Sequence, residues 1–172
     1  MIELIIGGAR SGKSSYAERQ ALDACAGADM RVTYIATGEA RDDEMAQRIA
    51  RHRTRRPAGW HTVEEPLALA GALRRRAASD VCLLVDCLTL WLTNVLLGER
   101  EEEIDKLLAA LPNLPGRILL VSNEVGWGIV PENALARRFR DEQGRLNQRV
   151  AELADRVTLV AAGLPLPLKR SD

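Results

Sequence analysis

Residues 7–14 read Gly7-Gly8-Ala9-Arg10-Ser11-Gly12-Lys13-Ser14, which satisfies the pattern GxxxxGK[ST]. The octapeptide follows an apolar run at 2–6 and precedes a segment of helical character from about 13 to 25, so it is read as the turn between a buried strand and a helix. That context gives the pattern its meaning. Glycines let backbone amides curl around phosphate oxygens, and the dipole of the following helix adds positive potential. Lys13 then neutralises β- and γ-phosphate charge, and the Ser14 hydroxyl suits Mg2+. Only three of the 24 basic residues are lysines (Lys13, Lys106 and Lys169), and one of them stands where this chemistry needs it.

Beyond the loop the chain alternates strand and helix. Strands are expected at 32–35, 60–63, 81–85, 118–121 and 157–161, and helices from Asp42, from Pro66, at 88–97, at 99–110 and at 134–154. Acidic Asp42, Asp43 and Glu44 open one helix and basic Arg74, Arg75 and Arg76 close another, at the ends their charges favour. Gly144 is expected to weaken or bend the last helix. Pro165 and Pro167 confine 164–168 to a sheet edge or to irregular structure. Residues 81–85 are apolar without alternation, as in a central parallel strand covered on both faces. The expected fold is α/β, a three-layer P-loop domain with a mostly parallel central sheet whose working edge lies at the strands' C-terminal ends. A length of 172 residues suits one such domain spanning 1–172.

Basic and acidic residues number 24 each, and a zero net charge argues against a chain built to coat nucleic acid. Cys25, Cys82 and Cys87 are odd in number and lack CxxC spacing, so neither a disulfide framework nor a zinc site is expected. No run reaches the roughly 18 apolar residues that a membrane-spanning helix needs. Met1 to Glu3 lack the basic start of a secretory signal, and the expectation is a cytoplasmic protein.

A triphosphate site also needs a carboxylate near the metal, and Asp86, directly after the apolar run 81–85, fits that role; the alternative is an N-cap for the next helix. Glu124 is a second acidic residue at a strand end, where a catalytic role and a structural hydrogen bond stand side by side. His52 shares a helix face with Met45 and Ile49 and lies among Arg51, Arg53, Arg55 and Arg56, a cationic setting that favours a neutral imidazole. With an ordinary histidine pKa of about 6.5, such a ring is mostly neutral at pH 7 and can attack phosphorus without a separate base. The bland readings are a packed or surface histidine and a solvated arginine face. His61 has no comparable setting and is read as structural. A signalling GTPase would need NKxD, where this chain offers Asn123-Glu124-Val125-Gly126, and its DxxG match at 141–144 falls inside an expected helix. A small-molecule kinase and a non-enzymatic nucleotide-binding module both remain open on the chemistry alone.

Taken together, GGARSGKS (7–14), YIATG (34–38), DDEMAQRIARHRTRRPAGW (42–60), LLVDCLTLWLTN (83–94) and the long block 121–155 resemble the bacterial bifunctional adenosylcobinamide kinase and adenosylcobinamide-phosphate guanylyltransferase family of cobalamin biosynthesis. The blocks cover most of the chain in order.

The resemblance implies a RecA-like P-loop fold, a homotrimer, and two reactions. The γ-phosphate of ATP or GTP goes to the aminopropanol hydroxyl of adenosylcobinamide, and GTP then guanylylates that phosphate with release of pyrophosphate. It implies a histidine-linked GMP at His52; the place where some relatives carry a second histidine is Arg51 here. It also implies that Gly7 to Ser14, Thr37, Gly38, Glu39, Arg53, Thr54, Arg55, Arg56, Glu64 and Asp86 line the nucleotide site, with Ser14 and Asp86 at Mg2+. Lys13, Asp86 and His52 are the catalytic expectations. The corrinoid is expected near the loop 126–133, which carries Trp127. Transfer from the γ-phosphorus and attack at the α-phosphorus are expected to need two nucleotide poses or a moving helix 42–56.

Overall fold

The computed structural model describes residues 1–28, 30–40, 42–54, 57 and 59–170, with the backbone alone of residues 44, 48 and 51–53. Strand β1 (Ile2–Gly7) feeds the glycine-rich turn into α1 (Lys13–Ala28), followed by β2 (Arg31–Ala36) and α2 (Asp43–Thr54). Next come β3 (His61–Glu64), α3 (Leu69–Arg76), β4 (Val81–Asp86), α4 (Leu88–Leu97) and α5 (Glu102–Ala110), which runs into a 3-10 turn at Leu111–Asn113. The chain closes with β5 (Arg117–Asn123), α6 (Ala134–Leu153), β6 (Arg156–Ala161) and β7 (Leu164–Lys169).

The seven strands lie in the order β3-β2-β4-β5-β1-β6-β7, parallel except for the β6/β7 pair. The expected α/β fold with a mostly parallel sheet is therefore what forms. On one face α1 presents Ala17, Ala21 and Ala24, small enough to bring its axis close to Ile5, Val32, Leu84 and Leu119. On the other face α3, α4, α5 and α6 bury Leu73, Trp91, Leu107 and Val150 against Leu4, Leu83, Val85 and Leu120. Both faces of β4 are covered, which is why 81–85 carry no polar residue. Glu3 is an exception within β1. Its carboxylate, 1% exposed, accepts from the Thr158 hydroxyl at 2.9 Å and lies 3.6 Å from the Arg117 guanidinium, a buried pair holding β1 to β5 and β6.

Several boundaries differ from the sequence reading. The third helix begins at Leu69 rather than Pro66, because Glu65 Oε1 accepts from the amides of Leu67 and Ala68 and holds an entry turn ahead of it. The fifth begins at Glu102 rather than 99. Gly144 does not interrupt α6, which runs unbroken over 20 residues; it is half-buried, with open space where a side chain would stand. Gln143, inside the DxxG match, is buried and donates to Ser122 Oγ and Asn147 Oδ1. The bond to Ser122, with that from Asn147 Nδ2 to Asn123 O at 3.1 Å, pins α6 to β5, so the DxxG match lies inside a packed helix. The proline strand β7 forms the antiparallel sheet edge. Among the described residues no helix is long and apolar enough to cross a membrane.

Candidate active site

In the strand order, β5 separates β1 from β4, so the C-terminal ends of these three strands bring together Gly7, Asn123 and Asp86. The turn after β1 is wound tightly. Gly12 has φ +94°, and a Cβ on Gly7 would lie 2.4 Å from Val160 O, so neither position accepts a larger residue. Ser11 N donates to Gly8 O at 3.3 Å, and Gly163 N donates to Ser11 O at 2.8 Å, which ties the turn to the β6/β7 hairpin. Lys13 folds back to donate to Gly8 O at 3.0 Å and is 9% exposed.

Lys13, Ser14, Gly38 and Asp86 line one cavity of about 210 Å3, together with Tyr34, Asn123 and the α2 residues Met45 and Ile49. Asp86 accepts from the Tyr34 hydroxyl at 2.8 Å. It is not the N-cap of α4: that position is Cys87, without a side-chain cap bond, and Asp86 ends the strand. The peptide between them is cis. A hydroxyl and a carboxylate on one wall are hard oxygen donors of the kind magnesium takes, so the residues fit that ion.

Glu39, Thr54 and Glu64 instead line a wider neighbouring cavity of about 650 Å3, which shares Ala36, Gly38 and Ile49 with the first. Thr37 reaches neither space with its hydroxyl. It is fully buried, donates to Cys87 O at 2.7 Å and accepts from Cys87 N at 2.9 Å, clasping the end of β2 to the start of α4. Thr37→Val would strand both Cys87 groups and is expected to cost about 1–3 kcal/mol in urea unfolding, with Thr37→Ser close to native. Gly8 is half-buried, and Ala9 and Arg10 are exposed on the turn. Glu124 has the structural bond: its Oε1 accepts from Gly126 N at 2.9 Å. His61 is exposed at the start of β3. The assignments resting on the side chains of His52 and Arg53, and on Arg55 and Arg56, fall outside the described residues.

Tyr34 and Asn123 are site residues that the sequence reading passed over. Both depend on strand adjacency: Tyr34 lies two residues before Ala36, the register partner of Asp86, and so points to the same sheet face. The Cys87 thiol on the pocket wall and Cys82 in β4 are each pushed by burial to about 11. Their folded values lie above the 9.0 of an exposed thiol, so they favour the folded state below about pH 9, and that contribution disappears as pH rises through 11. A pH series of thermal melts is expected to drop between pH 9 and 11, and Cys82→Ala/Cys87→Ala should flatten the drop.

Residues 3–168 match the CobU family, described as cobinamide kinase / cobinamide phosphate guanyltransferase. The chain belongs to the CobU family. It is 57% identical over 173 residues to the bifunctional adenosylcobalamin biosynthesis protein CobP of Pseudomonas aeruginosa, covering 98% of each chain. It is 44% identical over 186 residues to CobU of Salmonella typhimurium, a bifunctional adenosylcobalamin biosynthesis protein, covering 98% of this chain and all (100%) of that one. A solved ATPase domain aligns with 99% of the chain and 77% of its own length at a TM-score of 0.54 and 12% identity, a likeness of fold. The family match and the cavity agree: each of the five blocks at 7–14, 34–38, 42–60, 83–94 and 121–155 contributes to its walls.

Proposed function

We propose that this CobU-family chain performs two transfers on one cobinamide substrate. The γ-phosphoryl group of ATP or GTP passes to the aminopropanol hydroxyl of adenosylcobinamide, and GMP from GTP is then joined to that phosphate, giving adenosylcobinamide-GDP and pyrophosphate. The observation that carries the first half is the convergence of Lys13, Ser14 and Asp86 on one cavity at the end of β1. The turn amides and Lys13 bind and orient the triphosphate, and Ser14 and Asp86 hold Mg2+. When bound, the ion offsets charge on the β- and γ-oxygens. Tyr34 fixes the orientation of the Asp86 carboxylate.

For the second half, a neutral His52 nitrogen attacks the α-phosphorus, a P–N bond forms and pyrophosphate leaves; the cobinamide phosphate then attacks the same phosphorus and frees the histidine. The two cavities that meet at Ile49 support two nucleotide poses, one on the turn and one beside α2 near Glu39, Thr54 and Glu64; Arg53, Arg55 and Arg56 are assigned to the second pose from the sequence. A cytoplasmic homotrimer completes the reading, supported by the exposed leucine row Leu164, Leu166 and Leu168 on β7, an edge whose prolines cannot extend the sheet.

The test incubates purified protein with adenosylcobinamide, Mg2+ and either γ-labelled ATP or α-labelled GTP. Label from the first is expected on the corrinoid at once, and label from the second only after phosphorylation. Nucleotide binding without either transfer would reduce the chain to a binding module.

A further inference from the structure

The loop between β5 and α6, which leaves the sheet beside the site at Asn123, carries an apolar tip that no step above uses. Trp127 is 76% exposed, Ile129 97% and Val130 57%. The loop is held at both ends. Glu124 N donates to Gly7 O at 3.0 Å and Glu124 Oε1 accepts from Gly126 N, so it departs from the first residue of the phosphate turn. At its far end Asn133 caps α6 through the amides of Leu135 and Ala136, and the Arg137 guanidinium donates to Pro131 O at 3.0 Å. Among the described contacts no hydrogen bond reaches residues 127–130. A large indole and two branched side chains are thus presented to solvent on a fixed base, an arrangement that marks a binding surface.

We propose that this tip is the seat of the corrin ring, an inference that rests on the kinase reading above. Its size argument is direct. The cavity holding Lys13 and Asp86 measures about 210 Å3, below the range of roughly 300–1,000 Å3 typical of pockets for drug-sized ligands. A corrin macrocycle is larger than those ligands and does not fit there, and the adjoining cavity of about 650 Å3 is the one the second nucleotide pose takes, so the ring lies outside while its hydroxyl arm reaches in. Asn123 lines the cavity, and the loop leaves the sheet at the next residue, so the tip is the exposed apolar group carried on the segment that departs from the cavity wall. The leucine row of β7 lies beyond β6 at the sheet edge, and none of its residues lines the cavity. The flat indole of Trp127 packs against one face of the macrocycle, and Ile129 and Val130 cover its rim. The loop thereby acts on the affinity for the acceptor and leaves the nucleotide to the turn.

The test compares the full-length native protein with Trp127→Ala and with Trp127→Ala/Ile129→Ser. KM for adenosylcobinamide and KM for ATP are measured in the kinase reaction, and mass by gel filtration. KM for adenosylcobinamide is expected to rise about tenfold in the single variant and further in the double, with KM for ATP and the mass unmoved. An unshifted corrinoid KM in both variants overturns the proposal while leaving the kinase reading intact. A lower oligomeric mass in the variants overturns it too, by assigning the tip to a contact between copies of the chain. A native protein that never phosphorylates adenosylcobinamide sinks the kinase reading and this inference together.

Discussion

Lys13→Ala is expected to lower the turnover of adenosylcobinamide phosphorylation by about 10²–10³-fold, the range seen when one preorganised charge-stabilising group is removed from an active site. The lysine is 9% exposed and folded back onto Gly8 O, so its ammonium is held in place before the nucleotide arrives. Charge moving onto the bridging and γ-oxygens during transfer is then met by a cation that needs no reorganisation. Truncation leaves the turn itself intact, because Ser11 N–Gly8 O and Gly163 N–Ser11 O are backbone bonds. Circular dichroism should accordingly match the native protein. Lys13→Arg is not expected to restore the rate, since a planar fork cannot replace a point charge where Gly7 and Gly12 leave no slack. A turnover within threefold of native in Lys13→Ala would remove the phosphate turn from the chemistry.

His52→Ala separates the two halves of the proposed reaction. With α-labelled GTP and Mg2+, the native protein is expected to acquire covalent label that is acid-labile and alkali-stable, as a phosphoramidate is, and the variant none. Guanylyl transfer should fall by at least about a thousandfold, because the covalent route is lost and no substitute nucleophile occupies the neighbouring position, which is Arg51. Phosphorylation of adenosylcobinamide by ATP should stay within twofold, since Lys13, Ser14 and Asp86 come from other elements than α2. Undiminished label in His52→Ala would assign the nucleophile elsewhere, and a parallel loss of phosphorylation would mean that the halves share one pose.

Much of this was legible in the linear sequence because it is local. A GxxxxGK[ST] turn needs only its own eight residues and the elements on either side to bind phosphate. The unbroken apolar run of β4 followed by Asp86 likewise announces a buried strand with a carboxylate at its exit. Boundaries were less legible where a side chain outside the helix sets them, as Glu65 does ahead of α3. Thr37 shows the limit for single residues. Its sequence position beside Gly38 fits a nucleotide contact, yet its hydroxyl is committed to the backbone of Cys87, 50 residues away.

The sequence by itself determined the phosphate turn, the strand and helix alternation, the metal-suited pair Ser14 and Asp86, and the family, since these depend on residue type and short spacing. The tertiary structure alone decided which strands became neighbours. Placing β5 between β1 and β4 brought Asn123 into the cavity wall and started the Trp127 loop beside it, and pairing β2 with β4 set Tyr34 against Asp86. Strand order follows from how α1 and the four helices of the opposite face bury both sides of the sheet at once, a global packing requirement that no local run of residues encodes.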